Sequence, residues 1–141
     1  MTRRIAIVSL LAAASTGWAQ DIEKLAPYYP TPETIVQKML ELGGLKAGEK
    51  MFDLGSGDGR IVIMAAQKYH AQATGIEMDK DLWEQSMKRI QKLGLEKKAT
   101  VINGDIFKQN YSPADLLTVY LLPNSNDKVQ LLGLERTVTE G

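Results

Sequence analysis

The sequence predicts an α/β fold in which a parallel sheet packs against helices as a three-layer sandwich. Short apolar segments that end in glycine or acidic residues alternate with longer segments whose apolar residues recur at helical spacing. Segments that alternate in this way form parallel sheets, because each helix returns the chain to the start of the next strand. The 141 residues, 44% of them hydrophobic, are enough for the core of one such domain.

The predicted domain begins with an extended arm and a helix. Prolines exclude a regular helix from residues 21–30. Thr31 then supplies a hydroxyl for the helix N-cap, and Pro32 occupies the first helical position. Gly43 and Gly44 end this helix.

The remaining predicted elements begin with a regular alternation of strand and helix. Asp79 is placed to cap the helix that begins at Lys80, and Gly94 is placed to end it. The last predicted strand is apolar enough to lie in the centre of the sheet. The predicted strands are 50–54, 73–77, 99–103 and 115–122, and the predicted helices are 60–70, 80–93 and 124–134.

A glycine-rich loop joins the first of these strands to the helix that follows it. Gly55, Gly57 and Gly59 let the backbone turn tightly and approach a ligand closely. Dinucleotide sites usually read G-x-G-x-x-G, whereas this loop reads G-x-G-x-G. Arg60 occupies the position of the third dinucleotide glycine, and we expect it to be a surface residue. The loop therefore favours a ligand without a pyrophosphate. Backbone N–H groups of the loop, including Ser56, would hold a ligand carboxylate.

Acidic residues follow three consecutive predicted strands, and they are Asp53, Glu77 and Asp105. The carboxyl ends of parallel strands meet at one edge, where folds of this kind bind ligands. S-adenosylmethionine (SAM) suits this set: Asp53 would accept from its ammonium, Glu77 would hold the ribose hydroxyls and Asp105 would accept from the adenine amino group. Met78 and Ile106 would flank the adenine ring. Alternatively, the first two acids are solvated strand-end residues and the third is an ordinary turn aspartate.

Composition argues against several other kinds of site. The formal net charge is zero, so no strong electrostatic attraction to nucleic acid is expected. The chain has no cysteine, which excludes disulfides, thiolate metal sites and cysteine nucleophiles. A single histidine, His70, argues against a histidine-based metal site or a Ser-His-Asp arrangement. No metal is therefore predicted.

These residues resemble the motifs of the class I, seven-strand SAM-dependent methyltransferases. More narrowly, the chain resembles a family of small protein-lysine methyltransferases that has archaeal, bacterial and mitochondrial members. The resemblance implies a Rossmann-like fold, SAM as the cofactor and a protein lysine, rather than nucleic acid, as the methyl acceptor. The segments that carry it are 28–32, 53–63 with 65–66, 75–77, 104–105 and 120–123.

The resemblance also implies roles for two residues outside the glycine loop. Thr31 would contact the SAM carboxylate, and the arm before it would fold over the cofactor. Tyr120 is the candidate catalytic residue, whose hydroxyl would line a channel for a lysine side chain. Amino-group DNA methyltransferases have Asp or Asn at that position, which argues against nucleobase chemistry here. Alternatively, Tyr120 only packs the end of its strand.

The chain is shorter than the fold that it resembles. A class I fold has seven strands and four are predicted here, so the sequence predicts a C-terminally incomplete class I methyltransferase fold. The apolar edge of the strand at 115–122 would then be exposed, and a dimer would form through it. A truncated, non-catalytic SAM-binding remnant and a small-molecule methyltransferase are the alternative functions.

The N-terminus has the pattern of a secretory signal. Arg3 and Arg4 precede an uncharged stretch over 5–20, and 17–19 has the small-x-small form of a cleavage site. An uncleaved membrane segment is the alternative, although about 16 uncharged residues are short for a span of roughly 20. Residues 1–19 are therefore assigned to a signal peptide or membrane segment, and 20–141 to the SAM-binding domain. Export or membrane association would conflict with the cytoplasmic supply of SAM.

Overall fold

The computed structural model describes residues 3–9 and 31–121, with side chains for all of these except 7–9 and 121. The predicted arm, the predicted cleavage site and the last predicted helix lie outside the described residues. The strands are β1 (Arg4–Ser9), β2 (Lys50–Leu54), β3 (Gln72–Glu77), β4 (Ala99–Asn103) and β5 (Leu116–Leu121), and the helices are α1 (Glu33–Leu42), α2 (Arg60–Tyr69) and α3 (Lys80–Lys92), with a short 3-10 helix at Ile106–Lys108.

The five strands form one parallel sheet with the order β1-β5-β2-β3-β4. The predicted parallel α/β fold is thereby confirmed. Side chains alternate between the two faces of each strand. Met51 of β2 and Leu116 of β5 lie in the larger core, which they share with buried side chains of α1, α2 and α3. Leu54 and Leu117 belong to the second core, on the opposite face, together with Tyr111.

Helix α2 is the most deeply buried of the three helices, and it fixes the position of the loop before it. Residues 61–66 are all buried, and they share one core with residues of the sheet, α1 and α3. Gly59, its N-cap, has a left-handed φ of 83°, and a Cβ built there would lie 2.8 Å from Cβ of Ser86. A glycine at this position therefore lets α3 approach the first turn of α2 closely.

The ends of α1 and α3 test two capping predictions. Helix α1 begins one residue later than predicted: Pro32 is its N-cap, and its carbonyl accepts from the N–H groups of Ile35 and Val36 at 3.0 Å each. Thr31 precedes the helix and is buried instead of capping it. Asp79 caps α3 as predicted, because its Oδ1 accepts from the N–H of Leu82 at 3.0 Å.

Strand β1 lies in a segment that the sequence pattern assigns to a region outside the domain. Six residues of β1 pair in register with β5, and Arg4 N–H donates to the carbonyl of Asp115 at 2.9 Å. The Arg4 side chain donates to the carbonyl of Gly43 at 2.8 Å and forms an ion pair with Glu49 at 2.5 Å. The hydrogen bond from Arg4 holds the pKa of Glu49 below its ordinary value.

The prediction that one edge of β5 is exposed is therefore wrong in this structure, because β1 pairs with that edge. The apolar, β-branched residues that suggested a signal peptide suit an edge strand equally well. A dimer through β5 would require β1 to leave the sheet. Both the dimer and the cleavage of residues 1–19 stay predictions.

The part of the chain that the structure describes lacks two features. No helix there has the length and apolar character needed to cross a membrane. No group of three or more His, Asp or Glu side chains within 3–9 and 31–121 is placed to hold a metal ion.

Candidate functional site at the carboxyl edge of the sheet

The centre of the site is the buried side chain of Asp53, near the end of β2. In the sheet register Asp53 lies between Thr118 of β5 and Gly75 of β3. It is 1% exposed, and its Oδ1 accepts from the hydroxyl of Thr118 at 2.8 Å. Its Oδ2 is buried and has no hydrogen-bond partner among the described residues. A buried carboxylate oxygen without a partner is costly, which is typical of a group that a ligand completes.

The environment of Asp53 makes its charge sensitive to what binds. Burial raises the pKa of Asp53 to about 7, and the nearby charge of Glu77 adds to the increase. The hydrogen bond from Thr118 acts in the opposite direction, because it favours the ionised form. A cation placed against Oδ2 would restore the carboxylate form at neutral pH.

The glycine loop folds back over the end of β3. The N–H groups of Gly55 and Ser56 both donate to the carbonyl of Ile76, at 2.9 and 3.0 Å. Gly57 N–H donates to Oε1 of Glu77 at 2.7 Å. These three N–H groups have acceptors within the protein in this conformation, and the role of loop N–H groups in holding a ligand carboxylate stays a prediction.

Like Gly59, the other two loop glycines need their residue type for conformational reasons. Gly55 and Gly57 have φ values of 76° and 57°, in the left-handed region. Gly75 is required for space instead: a Cβ there would lie 2.5 Å from Oγ of Ser56 and 3.0 Å from Val62. The missing side chain at Gly75 therefore lets the loop lie directly on β3, next to Asp53.

Glu77 lies at the end of β3, where its carboxylate links the loop to α3. Its Oε2 accepts from the N–H of Asp79 at 2.9 Å, while Oε1 accepts from Gly57. Asn103 of β4 donates to the carbonyls of Glu77 and Met78 at 3.0 and 3.1 Å and so fixes the backbone here. Each carboxylate oxygen has about two acceptor sites, so both can still accept from ligand hydroxyls.

Asp105 caps the turn that follows β4, and its contact with the adenine amino group stays a prediction. Its Oδ1 accepts from the N–H of Phe107 at 2.9 Å and caps the 3-10 helix. The hydroxyl of Tyr111 donates to the carbonyl of Ile106 and holds the segment in place from the core side. Met78 is 68% exposed, so its side chain is accessible at this edge of the sheet.

A cluster of three charged side chains lies on the side of the site next to α1. Arg60 donates to the carbonyl of Thr31 at 2.9 Å and pairs with Asp58 at 2.7 Å, and Arg89 of α3 also pairs with Asp58, at 3.3 Å. Burial acts to raise the pKa of Asp58, but the bonds and charges of the two arginines outweigh burial and lower it. The prediction that Arg60 is a surface residue is wrong, because its guanidinium ties the start of α1 to the loop.

One cavity of about 170 Å³ brings most of these groups together. It contains Tyr120, which is half-buried at the end of β5, whereas the predicted residues Gly59, Met78, Asp105 and Ile106 lie outside its lining. The residues that line it are Thr31, Asp53, Gly55, Ser56, Gly57, Asp58, Arg60, Ile61, Glu77, Leu82 and Tyr120.

A larger cavity of about 630 Å³ lies along α1, between Thr34 and Leu42. Among the described residues it is lined by this one helix, and Glu41 is its only carboxylate. The smaller cavity is the better candidate, because it combines a buried acid, a second acid and a glycine loop at the carboxyl edge of a parallel sheet.

Thr118 is the buried residue behind the cavity that sequence reasoning missed. It is fully buried, and its hydroxyl is the side-chain partner of Asp53. A hydroxyl residue inside an otherwise apolar strand was the available signal. Its significance depends on the register between β5 and β2, which local sequence patterns do not contain.

Comparisons with known proteins point to one family. The family profile described as the ANTKMT methyltransferase domain matches residues 53–137. A protein-lysine N-methyltransferase of Saccharolobus islandicus is 35% identical over 105 residues, which are 74% of this chain and 65% of that protein. A lysine N-methyltransferase of Xenopus laevis, whose name gives a component of ATP synthase as its substrate, is 33% identical over 118 residues, which are 83% of this chain and 51% of that protein. The chain thus spans about half to two thirds of these relatives.

Solved structures show the same fold. An RNA methyltransferase from Salinibacter ruber, in complex with S-adenosyl-L-homocysteine, is 40% identical with a TM-score of 0.67, and the match covers 74% of this chain and 68% of that one. A SAM-dependent methyltransferase from Thiobacillus denitrificans, also with S-adenosyl-L-homocysteine, is 24% identical with a TM-score of 0.58 over 70% of this chain and 40% of that one. The second similarity supports the fold alone.

Proposed function

This chain belongs to the family described by the ANTKMT methyltransferase domain, and from that premise we propose that it binds SAM and transfers the methyl group to a protein lysine. The observation that carries the proposal is Oδ2 of Asp53, which has no partner among the described residues and lies in the same cavity as Glu77. Relatives named as lysine N-methyltransferases support the choice of acceptor.

The residues present fit the amino-acid end of SAM. Its ammonium would donate to Oδ2 of Asp53. The positive charge would stabilise the ionised form of this acid, whose pKa burial raises. Ser56 Oγ, a second buried oxygen without a partner among the described residues, lies in the same cavity and can donate to the cofactor carboxylate. Thr31 lines the same cavity and is the predicted further contact.

The ribose and adenine would lie further along the edge of the sheet. Glu77 has acceptor capacity left for the ribose hydroxyls. The cavity of about 170 Å³ is smaller than the roughly 300–1,000 Å³ of a pocket that encloses a whole drug-sized ligand. We therefore assign the cavity to the amino acid and ribose, and the more open surface formed by Met78, Asp105 and Ile106 to the adenine.

The acceptor amine must reach the site without its proton. When bound, SAM supplies a sulfonium methyl group that an amine takes by in-line displacement: the N–C bond forms, the C–S bond breaks and sulfur keeps the electron pair. Free lysine has a pKa near 10.4, so the site has to desolvate or deprotonate it. None of the residues lining the cavity is a convincing base, so positioning of the amine, with Tyr120 lining its channel, would supply most of the rate.

Transfer of a labelled methyl group tests this proposal. The purified protein is incubated with methyl-labelled SAM and with separated protein, RNA and small-solute fractions of a lysate. Label in the protein fraction, recovered as methyl-lysine after hydrolysis, is the expected result. Label in RNA would favour the chemistry named for the Salinibacter ruber relative, and label in small solutes would favour a small-molecule methyltransferase.

Calorimetry separates cofactor binding from activity. We expect the wild-type protein to bind S-adenosylhomocysteine, and Asp53→Ala and Glu77→Ala to abolish binding. Binding without transfer to any fraction would support the non-catalytic remnant. Unchanged affinity in both variants would contradict the site assignment.

A further inference from the structure

We propose that Thr118 is a positioning residue that holds Oδ1 of Asp53 and thereby directs Oδ2 toward the ammonium group of the bound cofactor. The inference rests on the proposed binding of SAM. It concerns a residue that would touch no part of the cofactor and would act only through Asp53.

The sheet register gives Thr118 this role. β5 and β3 flank β2, and the residues level with Asp53 are Thr118 on one side and Gly75 on the other. Gly75 has no side chain, so the strand neighbour able to bond the carboxylate is Thr118. The Oγ1–Oδ1 distance is 2.8 Å, and both residues are buried.

The hydroxyl reaches two acceptors among the described residues, and the carboxylate of Asp53 is the closer one. Its other acceptor within reach, the carbonyl of Phe52, lies at 3.4 Å, too far to compete with a carboxylate oxygen at 2.8 Å. Threonine is also β-branched, so its χ1 angle is restricted inside a packed strand. The terminal torsion of aspartate is broad by comparison. A fixed donor on Oδ1 therefore sets the direction in which Oδ2 points.

The same bond favours the ionised form of Asp53. Burial and the charge of Glu77 raise the pKa of Asp53, and the Thr118 bond opposes them. The other charged or titratable side chains that line the cavity are Asp58 and Arg60, from the loop and α2, and Tyr120 on β5. Asp58 and Arg60 are paired with each other, so their charges largely cancel at Asp53. Without the Thr118 hydroxyl, a larger fraction of Asp53 would be protonated at neutral pH and would bind a cation poorly.

The test compares Thr118→Val, which removes the hydroxyl at nearly constant shape, with Thr118→Ser, which keeps it. Affinity for S-adenosylhomocysteine is measured by calorimetry from pH 6 to pH 9. We expect the valine variant to bind about tenfold more weakly at pH 7, with a smaller loss at pH 9, and the serine variant to recover most of the affinity. Thr118→Ala removes the same hydroxyl and replaces the valine variant if that variant does not fold.

A second readout uses the free protein. The Asp53 carboxyl carbon, followed by NMR, is expected to titrate at higher pH in the valine variant than in the wild-type and serine proteins. Equal affinity and equal pH profiles in wild type and valine variant would overturn the role of Thr118 while leaving SAM binding intact. Equal losses in the serine and valine variants would also overturn it. If the wild-type protein binds no S-adenosylhomocysteine, the proposed cofactor fails, and the positioning role fails with it.

Discussion

Gly57 donates its backbone N–H to Oε1 of Glu77 at 2.7 Å, so the glycine loop and the end of β3 are held together by the carboxylate proposed to bind the ribose. The other oxygen of Glu77 accepts from the N–H of Asp79 at the start of α3. One side chain therefore aligns three segments around the cavity. The geometry of the cavity is therefore set before a ligand binds, which reduces the entropic cost of ordering these segments on binding.

Glu77→Gln tests this arrangement with little change of shape. The amide would place an NH₂ group where one backbone N–H now donates, and it would present fewer acceptors to the ribose. We expect the affinity for S-adenosylhomocysteine, measured by calorimetry, to fall by tenfold or more. Glu84→Gln, on α3, makes the same chemical change at a side chain that is 47% exposed. Equal affinities in the two variants would contradict the role of Glu77.

Gly75→Ala is expected to destabilise the protein through a clash. The added Cβ would lie 2.5 Å from Oγ and 2.6 Å from Cβ of Ser56, inside the packed loop. Overpacking of this kind costs about 1–3 kcal/mol in the free energy of unfolding, which urea denaturation measures. Gly104→Ala is the control, because its nearest neighbour is the end of the flexible Gln109 side chain at 3.0 Å.

A double variant identifies the cause of that loss. Adding Ser56→Gly to Gly75→Ala removes the two atoms nearest to the new methyl group and leaves Cγ2 of Val62 at 3.0 Å. Recovery of part of the stability is expected, as for residues in direct contact. Simple addition of the two single losses would show that the clash with Ser56 is not the reason.

Local patterns were sufficient wherever an element is defined by its own residues. The strands at 50–54 and 99–103 were predicted with the bounds that the structure has, because short apolar runs end there at polar or glycine residues. The capping of α3 by Asp79 was also predicted from local sequence, because this aspartate directly precedes the first helical residue. These signals require no knowledge of which strands pair.

Features that depend on pairing could not be predicted. Two arginines before an apolar run fit a signal peptide and an edge strand equally. Arg4–Ser9 forms a strand by pairing with β5, which lies more than 100 residues later in the chain. The link between Asp53 and Thr118 depends on register in the same way. Arg60 was misjudged because its partner, the carbonyl of Thr31, lies on another element.

The raised pKa of Asp53 predicts a specific pH dependence of stability. Its pKa is about 7 in the folded protein and 3.8 ordinarily, so between these values the folded state binds the extra proton. The contribution of Asp53 to the free energy of unfolding therefore falls as pH rises from 4 to 7 and is constant above pH 7. Three pKa units correspond to about 4 kcal/mol.

Asp53→Asn is the comparison that isolates this effect. Chemical denaturation of both proteins at intervals from pH 4.5 to pH 8 gives the difference in their free energies of unfolding. We expect the variant to gain stability relative to the wild type as pH rises. Glu49 and Asp58, whose pKa values are lowered, titrate below this window in both proteins and cancel in the difference. Parallel curves would mean that Asp53 is ionised throughout the range.

The place of β1 in the sheet predicts unequal effects of proline at two adjacent positions. Arg4 N–H donates to β5, so in a parallel ladder the N–H of Ala6 also faces β5, whereas that of Ile5 faces away. Ala6→Pro is expected to lower the melting temperature more than Ile5→Pro, because an edge strand tolerates proline where its N–H points outward. Equal, negligible effects, together with removal of Arg4 by processing of the expressed protein, would support a cleaved leader instead.

The hydroxyl of Tyr120 is the last group of the site with a distinct prediction. Tyr120 lines the cavity with Asp53 and Glu77, where the resemblance places the lysine channel. If its hydroxyl positions the amine, Tyr120→Phe lowers kcat for methyl transfer by roughly ten- to a hundredfold and leaves the affinity for S-adenosylhomocysteine unchanged. Tyr69→Phe, near the end of α2 and outside the cavity lining, is the matched control. Full activity of the Tyr120 variant would assign this residue to packing of the strand end, because the ring alone would then be sufficient.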